Sequence, residues 1–554
     1  MNYFVKNLSF RYSEEGKEVL KNLNLEIKKS AVTAVVGPSG CGKTTLVDVL
    51  SGVIPKLVGN GVLEGELDLG ENPLVSVVSQ SPENQLFGYG VEDAIAFGME
   101  NMGLPAEEIA ERMEYVLDLL NLQYLRKRSV AALSGGQRQS VCIASVLAMN
   151  PDILIMDEPV SSLDPNGKKM VQGILNQLRA DGTTVLIVDN NLEWSAGIVD
   201  HVVGLYDGEI LFQGTRDEFF RDFALQENLG VTIPQEAEIY RELSKVGLDI
   251  PMFYSIGGAF DALDNVFTQK EFTVEADKES ASGAFLTTHA LDKHFSDGFH
   301  ALKEINAAFP KGKVYAILGQ NGSGKTTLVK HLNGLYKPTT GDVRYNGEST
   351  LKKTVAQISR NIILVFQHPE HMLFEQTVTQ ELTFCARMQE VPFDDAQVEE
   401  VLAKYNLAGD KDIFPINLSM GKKHLLTILS VLLSNADVVI LDEPTLGMDL
   451  HIKNQLEQII ADLKEAGKTV LMISHEIPLV FKVADGAVIL SSGKKVFEGG
   501  KEELARREDI FDAINISLPP VVRLSKRYGF SKVCYNVAEF TEEAMAQLAA
   551  AKEA

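Results

Sequence analysis

The sequence has few cysteines and no long apolar run. Its four cysteines, Cys41, Cys142, Cys385 and Cys534, lie far apart along 554 residues. This spacing fits neither a disulfide framework nor a metal site of paired cysteines, and it predicts reduced thiols in a cytosolic protein. No stretch approaches the roughly 18 apolar residues that a membrane-spanning helix needs. The first residues also lack the basic flank and apolar core of a signal peptide.

Positive charge is scarce as well. The chain has 52 Lys and Arg against 76 Asp and Glu, a formal net charge of −24 at pH 7. This balance argues against a protein whose main affinity is for nucleic-acid backbones, because that affinity depends on clustered cations. What is present is ordinary for a folded protein, with 45% hydrophobic and 23% charged residues. At roughly 150 residues per domain, the length predicts about three or four domains.

A glycine-rich motif occurs twice and defines a tandem repeat. Its copies cover residues 37–45 and 319–327, and both end in Gly-Lys-Thr-Thr. An apolar run that ends in Asp-Glu-Pro follows each copy, at 153–159 and 438–444, at a nearly constant offset. We therefore predict two copies of one nucleotide-binding unit.

The repeat sets the expected domain organisation. Short β-rich runs alternate with helical stretches in each copy, which predicts an α/β fold with a mostly parallel sheet. The motifs follow apolar strands, at the edge where open α/β sheets bind ligands. The predicted segments are a first domain at 1–230, a linker at 231–283, a second domain at 284–500 and a C-terminal helical tail at 501–554.

The glycine-rich motif, between a strand and a helix, is typical of a phosphate-binding loop. Its glycines let successive N–H groups point at phosphate oxygens, and the helix N-terminus adds a positive dipole end. A chance glycine loop is the alternative, and repetition in the same strand–helix context argues against it. Lys43 and Lys325 are expected to reach the β- and γ-phosphates of a nucleotide, and Thr44 and Thr326 to ligate Mg²⁺. The expected loop residues are Gly37, Gly40, Gly42, Lys43, Thr44 and Thr45, and in the second copy Gly319, Gly322, Gly324, Lys325, Thr326 and Thr327.

The Asp-Glu pairs supply the expected catalytic carboxylates. Asp157 and Asp442 end apolar strands, where they could hold the Mg²⁺ directly or through water. Glu158 and Glu443 follow and are positioned to polarise an attacking water. A strand-end carboxylate that merely faces solvent is the alternative, which the repetition downstream of two phosphate loops disfavours.

The most specific motif is Leu-Ser-Gly-Gly-Gln at 133–137, before a predicted helix at 138–148, with Ser134 at a natural N-cap position. The phosphate loop, Gln80, this signature, the Asp-Glu pair and Asp164 follow one another in that order along the chain. With these motifs, each copy resembles the ATPase domain of ATP-binding cassette (ABC) proteins. The resemblance implies a mostly parallel sheet core, an antiparallel β part and a helical subdomain in each copy. It also implies that two such domains pair head to tail, each ATP lying between the phosphate loop of one and the signature serine of the other.

The same resemblance assigns further residues. In each copy an aromatic residue upstream of the strand that enters the phosphate loop, Tyr12 in the first and Phe295 in the second, would stack on adenine; a core aromatic is the alternative. The implied Mg²⁺-sensing glutamines are Gln80 and Gln367, the aspartates facing the opposite domain are Asp164 and Asp449, and the signature residues are Ser134, Gly135, Gly136 and Gln137, matched by Ser419 and Gly421.

The two copies differ at two expected site positions. His475 matches the family histidine that contacts the γ-phosphate, whereas Asn190 occupies that position in the first copy. Met420 replaces the first signature glycine, where glycine allows close backbone approach to phosphate.

With head-to-tail pairing, both departures fall in one site. We expect Lys325, Glu443 and His475 with the Ser134 signature to hydrolyse ATP. We expect Lys43, Glu158 and Asn190 with the Ser419 signature to form a degenerate site. The alternative is that Asn190 still bonds the γ-phosphate and both sites work.

The segments after Gln80 and Gln367 read Gln-x-Pro-x-x-x-Leu-Phe, with Leu86, Phe87, Leu373 and Phe374 at their ends. They resemble the ATPases of energy-coupling factor (ECF) importers, most closely the fused two-domain ones. That resemblance implies a vitamin, vitamin precursor or metal ion as cargo. The implied partners are a transmembrane coupling protein and a substrate-binding membrane protein, with the chain at the cytoplasmic face of the membrane. The apolar residues would form a groove for a partner helix; ordinary packing of the helical subdomain is the alternative.

Three other classes of two-cassette protein are alternatives. Tandem sugar-importer ATPases typically carry a degraded second phosphate loop, whereas both loops are intact here. ABC translation factors carry a long, charged helical linker and bind RNA, which a net charge of −24 disfavours. DNA-repair ATPases of the superfamily carry zinc-binding cysteine clusters, which the four scattered cysteines do not provide.

Overall fold

The computed structural model describes residues 2–56, 61–79, 84–133, 135–160, 163, 165–270, 284–296 and 298–553. The chain divides into two compact units, Met1–Ala237 and Glu238–Ala554. The division falls inside the segment 231–283 that the sequence predicts as a linker.

The first unit contains two sheets and the helices that cover them. Its strands are β1 Tyr3–Arg11, β2 Leu20–Ile27, β3 Val32–Val36, β4 Val62–Asp68, β5 Val75–Val78, β6 Ile153–Asp157, β7 Thr184–Val188, β8 His201–Tyr206 and β9 Glu209–Thr215. Its helices are α1 Lys43–Leu50, α2 Val53–Lys56, α3 Val91–Asn101, α4 Ala106–Leu119, α5 Gly135–Ala148, α6 Pro165–Ala180, α7 Arg216–Arg221 and α8 Phe223–Leu229, with short 3₁₀ turns at Gln123–Leu125 and Val130–Ala132.

The larger sheet of this unit has the order β5-β6-β7-β3-β8-β9. All its neighbours pair in parallel except β8 and β9, which form an antiparallel hairpin. Strands β3 and β7 are buried along their whole length, as expected for parallel strands covered on both faces. The smaller sheet, β2-β1-β4, is antiparallel. Helices α3 and α4 pack on α5 as a helical subdomain.

The second unit repeats this plan. After α9 Gln235–Lys245, which crosses the division, and α10 Ile256–Leu263, its strands are β10 Ala284–His294, β11 His300–Pro310, β12 Val314–Leu318, β13 Thr340–Tyr345, β14 Glu348–Ser349, β15 Ile362–Val365, β16 Val438–Asp442, β17 Thr469–Ile473, β18 Gly486–Ser491 and β19 Lys494–Gly500. Its further helices are α11 Lys325–Leu332, α12 Val355–Ile358, α13 Val378–Met388, α14 Asp395–Lys404, α15 Met420–Leu432, α16 Leu450–Glu465, α17 Ile477–Val483, α18 Lys501–Arg506, α19 Glu508–Ala513, α20 Pro520–Arg527 and α21 Val537–Glu553, with 3₁₀ turns at Pro369–Met372, Ala408–Asp410 and Pro415–Asn417.

Its larger sheet matches that of the first unit strand for strand, and its antiparallel sheet has one further strand, β14. The larger sheet has the order β15-β16-β17-β12-β18-β19, again parallel except for the last hairpin. The antiparallel sheet has the order β11-β10-β13-β14. Helices α13 and α15 pack together, with α14 beside α13. Each unit therefore has the predicted fold class: a mostly parallel sheet, an antiparallel sheet and a helical subdomain.

The segments predicted as linker and tail pack on each other within the second unit. Ile239, Leu243 and Phe267 share one buried core with Tyr528 and Phe540. The Arg527 guanidinium also donates to Asp264 at 2.9 Å and 2.5 Å, and the Tyr528 hydroxyl donates to the same carboxylate at 2.9 Å. The segments that precede and follow the second copy of the repeat therefore pack against each other.

No helix in the described part of the chain is long and apolar enough to cross a membrane. All four cysteines are free thiols, and burial raises the pKa of each of them.

Candidate functional site

Three neighbouring strands bring the predicted site residues of the first unit together. Strand β7 lies between β6 and β3, and the carboxyl ends of all three meet at one edge of the sheet. Asp157 ends β6 opposite Val188, the last residue of β7. The phosphate loop follows β3, and Asn190 follows β7. In the second unit β16, β17 and β12 meet in the same way, with Asp442 opposite Ile473.

The first phosphate loop is tightly folded around its lysine. Lys43 Nζ donates to the carbonyl oxygens of Gly37 at 2.5 Å and Pro38 at 3.1 Å. Gly37 has φ +153°, and a Cβ there would lie 2.0 Å from the Leu205 carbonyl oxygen. Gly42 is left-handed at φ +106° and caps α1. These glycines are therefore required for the chain to turn into the helix.

The second loop has nearly the same geometry. Lys325 Nζ donates to Gly319 O at 2.8 Å and Gln320 O at 3.1 Å. A Cβ at Gly319 would lie 2.2 Å from Leu490 O, and Gly324 caps α11 at φ +103°. A curled glycine backbone at a helix N-terminus with an inward lysine is the donor set that polyphosphate requires, so both loops fit a nucleotide.

The carboxylates beside the two loops stand in different electrostatic surroundings. In the first unit, burial raises the pKa of Asp157 to about 6; Lys43 lowers it, while Asp189 and Asp48 raise it further. In the second unit, burial also raises the pKa of Asp442. There, however, the Thr326 hydroxyl and two lysines act in the opposite direction, and one of these is Lys330.

This difference has a simple origin in the sequence. Position 48 in α1 corresponds to position 330 in α11, five residues after each loop lysine, and an aspartate there becomes a lysine. Position 189 corresponds to 474, so Asp189 stands where the second unit has a serine. Sequence reasoning missed these positions, although aligning the two copies through their loops shows both changes.

The two glutamates adopt the same unusual backbone conformation. Glu158 has φ +45° and Glu443 has φ +49°, in the left-handed region that side chains other than glycine rarely occupy. Their N–H groups donate to Val188 O at 2.9 Å and Ile473 O at 3.0 Å. Such strain recurs at functional sites, and here it turns each glutamate out of its strand direction.

In the second unit this glutamate contacts the predicted histidine. His475 Nε2 lies 3.0 Å from Glu443 Oε1, and the His475 N–H donates to Oε2 at 3.2 Å. Burial raises the pKa of Glu443 to about 7, with Lys325 lowering it and Asp442 raising it. Glu443 is therefore a buried, oriented carboxylate with a pKa suited to a general base near neutral pH.

In the first unit Asn190, the counterpart of His475, contacts the phosphate loop. Asn190 Oδ1 accepts a hydrogen bond from Gly37 N at 2.9 Å. Its neighbour Asp189 is buried and accepts from Trp194 Nε1 at 2.9 Å and Asn191 N at 2.8 Å. The asparagine is thus tied to the loop backbone, whereas His475 is tied to the glutamate.

The two aromatic residues predicted to stack on adenine lie in different surroundings. Tyr12 is 48% exposed, and its hydroxyl lies 3.1 Å from Thr45 Oγ1. Phe295 is half-buried and packs edge-on against Tyr336 at 5.7 Å. The Lys293 ammonium lies over the Phe295 ring, 5.4 Å from its centroid.

The signature residues begin a helix in both units. Gly135, Gly136 and Gln137 start α5, and Ser419 caps α15, accepting from Lys422 N at 3.5 Å. No heavy atom of the described residues lies within 4 Å of a Cβ built on Gly135, whereas Gly421 is crowded by Ile452 and by the Gly447 carbonyl oxygen.

Met420 is packed within its own unit. Its Cγ would lie 2.8 Å from a Cβ on Gly447. The methionine therefore lies along the loop after the Asp-Glu pair. Asp449, which follows that loop, accepts from Ile452 N at 3.0 Å and caps α16. Ser134, Gln80 and Asp164 lie outside the described residues, while Gln367 is half-buried just after β15.

A pair of aromatic rings lies in the helical subdomain of each unit. Phe87 stacks on Phe97 at 4.9 Å, and Phe374 packs on Phe384 at 5.5 Å. Phe87 is 53% exposed and Phe374 67% exposed, while Leu86 and Leu373 are half-buried. Side chains of a buried core would not be exposed to this extent, so the aromatic pairs form a surface. They extend the predicted apolar surface to Phe97 and Phe384.

The fold and the two loop-centred sites define a class: a tandem nucleotide-binding protein with two phosphate loops of one design. Comparison with known proteins then gives the family. The ABC transporter family matches residues 20–161 and 302–446. The chain belongs to the ABC transporter family of ATP-binding proteins, and it is an ATP hydrolase that drives transport.

Its relatives span nearly the whole chain. A protein of Caldanaerobacter subterraneus named "Putative ABC transporter ATP-binding protein" is 33% identical, with 95% of this chain and 96% of that one covered. The "Putative HMP/thiamine import ATP-binding protein YkoD" of Bacillus subtilis is 31% identical, with 91% and 92% covered. A solved archaeal ribosome recycling factor, aABCE1, in complex with ribosomal stalk protein aP1, covers 92% of both chains with a TM-score of 0.59 at 21% identity, a likeness that shows the fold alone.

Proposed function

We propose that this chain is the ATPase subunit of an ECF-type importer of a vitamin, vitamin precursor or metal ion, and that its two ATP sites are unequal. The site around Lys325, Glu443 and His475 hydrolyses ATP. The site around Lys43, Glu158 and Asn190 binds ATP and turns it over slowly. The observation that carries this assignment is the contact between His475 and Glu443 beside the second phosphate loop.

The chemistry follows from the second unit's own residues. Glu443, once ionised, accepts a proton from the attacking water, and the His475 backbone and ring fix both of its oxygens. Lys325 lies buried at the loop, where its charge can meet the γ-phosphate. Thr326 and Asp442 fit a Mg²⁺ ligand pair, which would supply neutralisation of phosphate charge.

The first unit differs in the residue that replaces His475 and in the charge near its phosphate loop. Its asparagine is engaged with the loop backbone at Gly37. Asp48 and Asp189 add negative charge near Asp157, where a polyphosphate would have to bind. Thr44 and Asp157 still fit a Mg²⁺ pair, so binding with slow turnover is the expected behaviour.

In the proposed assembly each site is completed by the other unit's signature. The Lys325 site then receives the glycine signature at Ser134–Gln137, with Asp164. The Lys43 site receives Ser419, Met420 and Gly421, with Asp449. This pairing places both departures from the family pattern in one site, and it rests on the family resemblance.

The test of unequal sites compares Glu443→Gln with Glu158→Gln in the full chain. Glu443→Gln should reduce ATPase activity by at least about 100-fold, because a general base contributes that much or more. Glu158→Gln should reduce it by less than about twofold. Fluorescent ATP-analogue binding should persist in both variants, which controls for folding. Equal losses, or the larger loss from Glu158→Gln, would overturn the assignment.

The membrane role rests on the paired aromatic surfaces and on the likeness to an import ATPase named for HMP and thiamine. Phe87 with Phe97, and Phe374 with Phe384, form apolar surfaces suited to amphipathic helices of a transmembrane coupling protein. Each docked helix would pass the ATP-driven motion to that protein at the cytoplasmic face of the membrane.

Affinity purification from detergent-solubilised membranes tests this role. The chain should bring down an integral membrane coupling protein and a small substrate-binding membrane protein. The double variant Phe87→Ser/Phe374→Ser should lose both while keeping its ATP binding. Tyr115→Ser, an exposed aromatic on α4, is the matched control and should retain them. Recovery of ribosomes in place of membrane proteins would instead support an ABC translation factor and contradict the proposal.

A further inference from the structure

Three metal-ligating side chains converge on the antiparallel sheet of the second unit. His294 Nε2 lies 3.2 Å from Asp292 Oδ1, and His300 Nε2 lies 2.9 Å from Asp292 Oδ2. The two imidazole rings stack with centroids 3.7 Å apart and planes 21° from parallel. One ligand atom from each residue lies within 4.8 Å of the others.

The strand pairing explains why they meet. Strands β10 and β11 are antiparallel, and His294 and His300 are direct partners across them. Directly opposite side chains have Cβ atoms roughly 5 Å apart, close enough for their tips to meet. Asp292 lies two residues earlier on β10, so it shares the face of His294. The backbone therefore holds all three groups, and no loop rearrangement is needed to gather them.

The geometry suits a transition-metal ion. Zinc lies about 2.0–2.1 Å from imidazole nitrogen and about 2.0–2.2 Å from carboxylate oxygen, so tetrahedral ligand atoms are roughly 3.3 Å apart. His294 Nε2 lies 3.2 Å from one Asp292 oxygen and His300 Nε2 lies 2.9 Å from the other, both close to that spacing. A rotation of the stacked rings would turn both nitrogen lone pairs toward one ion. The Asp292 side chain is 13% exposed, and the His294 side chain is 50% exposed. An ion could therefore enter from solvent and keep a water as its fourth ligand.

The first unit provides an internal contrast. Arg11 precedes Tyr12 as His294 precedes Phe295, and Glu18 precedes Leu20 as His300 precedes Leu302. Arg11 Nη1 and Glu18 Oε1 lie 4.0 Å apart, so an ion pair occupies the equivalent place. Arginine cannot ligate a cation, and its own charge satisfies the carboxylate. The three-ligand arrangement is thus a property of the second unit.

We propose that Asp292, His294 and His300 bind one divalent first-row transition-metal ion, with the two imidazoles and the carboxylate as its protein ligands. Imidazole suits zinc, nickel, copper and iron, and it excludes magnesium and calcium as the preferred ions. The site is separate from the Mg²⁺ position expected at Thr326 and Asp442.

Zinc chloride titration of the chelator-treated, nucleotide-free full chain tests the site by calorimetry, with Co²⁺ absorption as a second readout. The wild type should show a site whose affinity falls at least about tenfold in His294→Gln and in His300→Gln, since each removes one ligand. The matched control is His289→Gln, on the same strand, whose ring contacts Thr287 at 3.0 Å.

Co²⁺ bound to the wild type should give the visible bands of a tetrahedral site, and both ligand variants should lose them. Unchanged zinc affinity in both ligand variants, or an equal loss in His289→Gln, would overturn the proposal. The melting temperature without metal should match the wild type in all three variants, which excludes misfolding as the cause of a loss.

The bound ion would also act on the nucleotide, a step that rests on the proposed ATP site. Asp292 and His294 precede Phe295, and His300 follows it, so a shared ion fixes both ends of the turn that carries this ring. Phe295 N donates to Phe299 O at 2.9 Å within that turn. Restricting the turn before binding should tighten nucleotide affinity by about threefold.

Fluorescent ATP-analogue binding at buffered free zinc measures this coupling. Zinc should lower the dissociation constant in the wild type and in His289→Gln, and leave it unchanged in His294→Gln. Zinc binding without a shift would overturn the coupling alone. Failure of the analogue to bind the second unit at any zinc level would overturn the proposed ATP site while leaving the metal site standing.

Discussion

The two units share a fold and differ in the groups that face the phosphate loop. In the second unit a histidine fixes a glutamate whose pKa burial raises to about 7, and Lys330 adds positive charge nearby. In the first unit an asparagine holds the loop backbone, and Asp48 and Asp189 add negative charge. The loop lysines bond equivalent carbonyl oxygens in both units. The contrast teaches that a duplicated binding loop can persist while the catalytic groups around it diverge.

Exchanging His475 and Asn190 should have the largest effect on ATPase activity. His475→Asn should reduce ATPase activity by about 100-fold, because Glu443 loses its ring partner and its orientation. The reciprocal Asn190→His, made in the Glu443→Gln background where the second site is silent, should change the residual activity by less than about twofold, because Asp48 and Asp189 remain. Steady-state phosphate release measures both. In that background, a gain of more than about tenfold from Asn190→His would show that this single residue sets the difference.

The signature residues offer a second exchange. Gly135→Met should reduce activity by at least about tenfold, since a bulky side chain would block close approach to phosphate in the proposed Lys325 site. Met420→Gly should leave activity within about twofold of wild type. Because a Cβ at Gly135 meets no heavy atom within 4 Å among the residues that the structure describes, the melting temperature of Gly135→Met should not change. Equal effects of the two substitutions would contradict the proposed pairing.

Much of this contrast could be predicted from the sequence, and part of it could not. The fold class followed from the repeat and from apolar runs such as 153–157, which form buried parallel strands. The positions of His475 and Asn190 followed from aligning the copies. The left-handed backbone of Glu158 and Glu443 did not follow, because glutamate has no propensity for it and only the surrounding packing imposes it. The pairing of 238–270 with the C-terminal segment was also missed, since it joins residues far apart in the chain.

The pH dependence of ATPase activity should show the ionisation of Glu443 in the second unit. Glu443 can accept a proton only when ionised, and burial raises its pKa to about 7. Activity should therefore fall as the pH decreases through about 7, and at pH 6 it should be roughly tenfold below its plateau. The acid limb should be absent from the residual activity of Glu443→Gln. A wild-type profile that is flat from pH 5 to 8 would contradict Glu443 as the base.

The charges beside the loops should have the smallest effect. Asp48→Lys should tighten nucleotide binding at the first unit by about threefold, and Lys330→Asp should weaken binding at the second by a similar factor, because each reverses a charge near the phosphates. Fluorescent ATP-analogue titrations at low and high salt measure both shifts, and high salt should reduce them. Shifts of the same sign in both variants would show that these charges do not act on phosphate.

The most direct test of unequal sites follows the γ-phosphate in each unit. The full chain is incubated with γ-labelled and, separately, α-labelled 8-azido-ATP, photolysed, and its labelled peptides are assigned to residues 1–237 or 238–554. The account predicts that both units carry the α-label, while the γ-label remains on the first unit and is lost from the second. Loss of the γ-label from both units at the same rate, or its retention on the second unit alone, would contradict it.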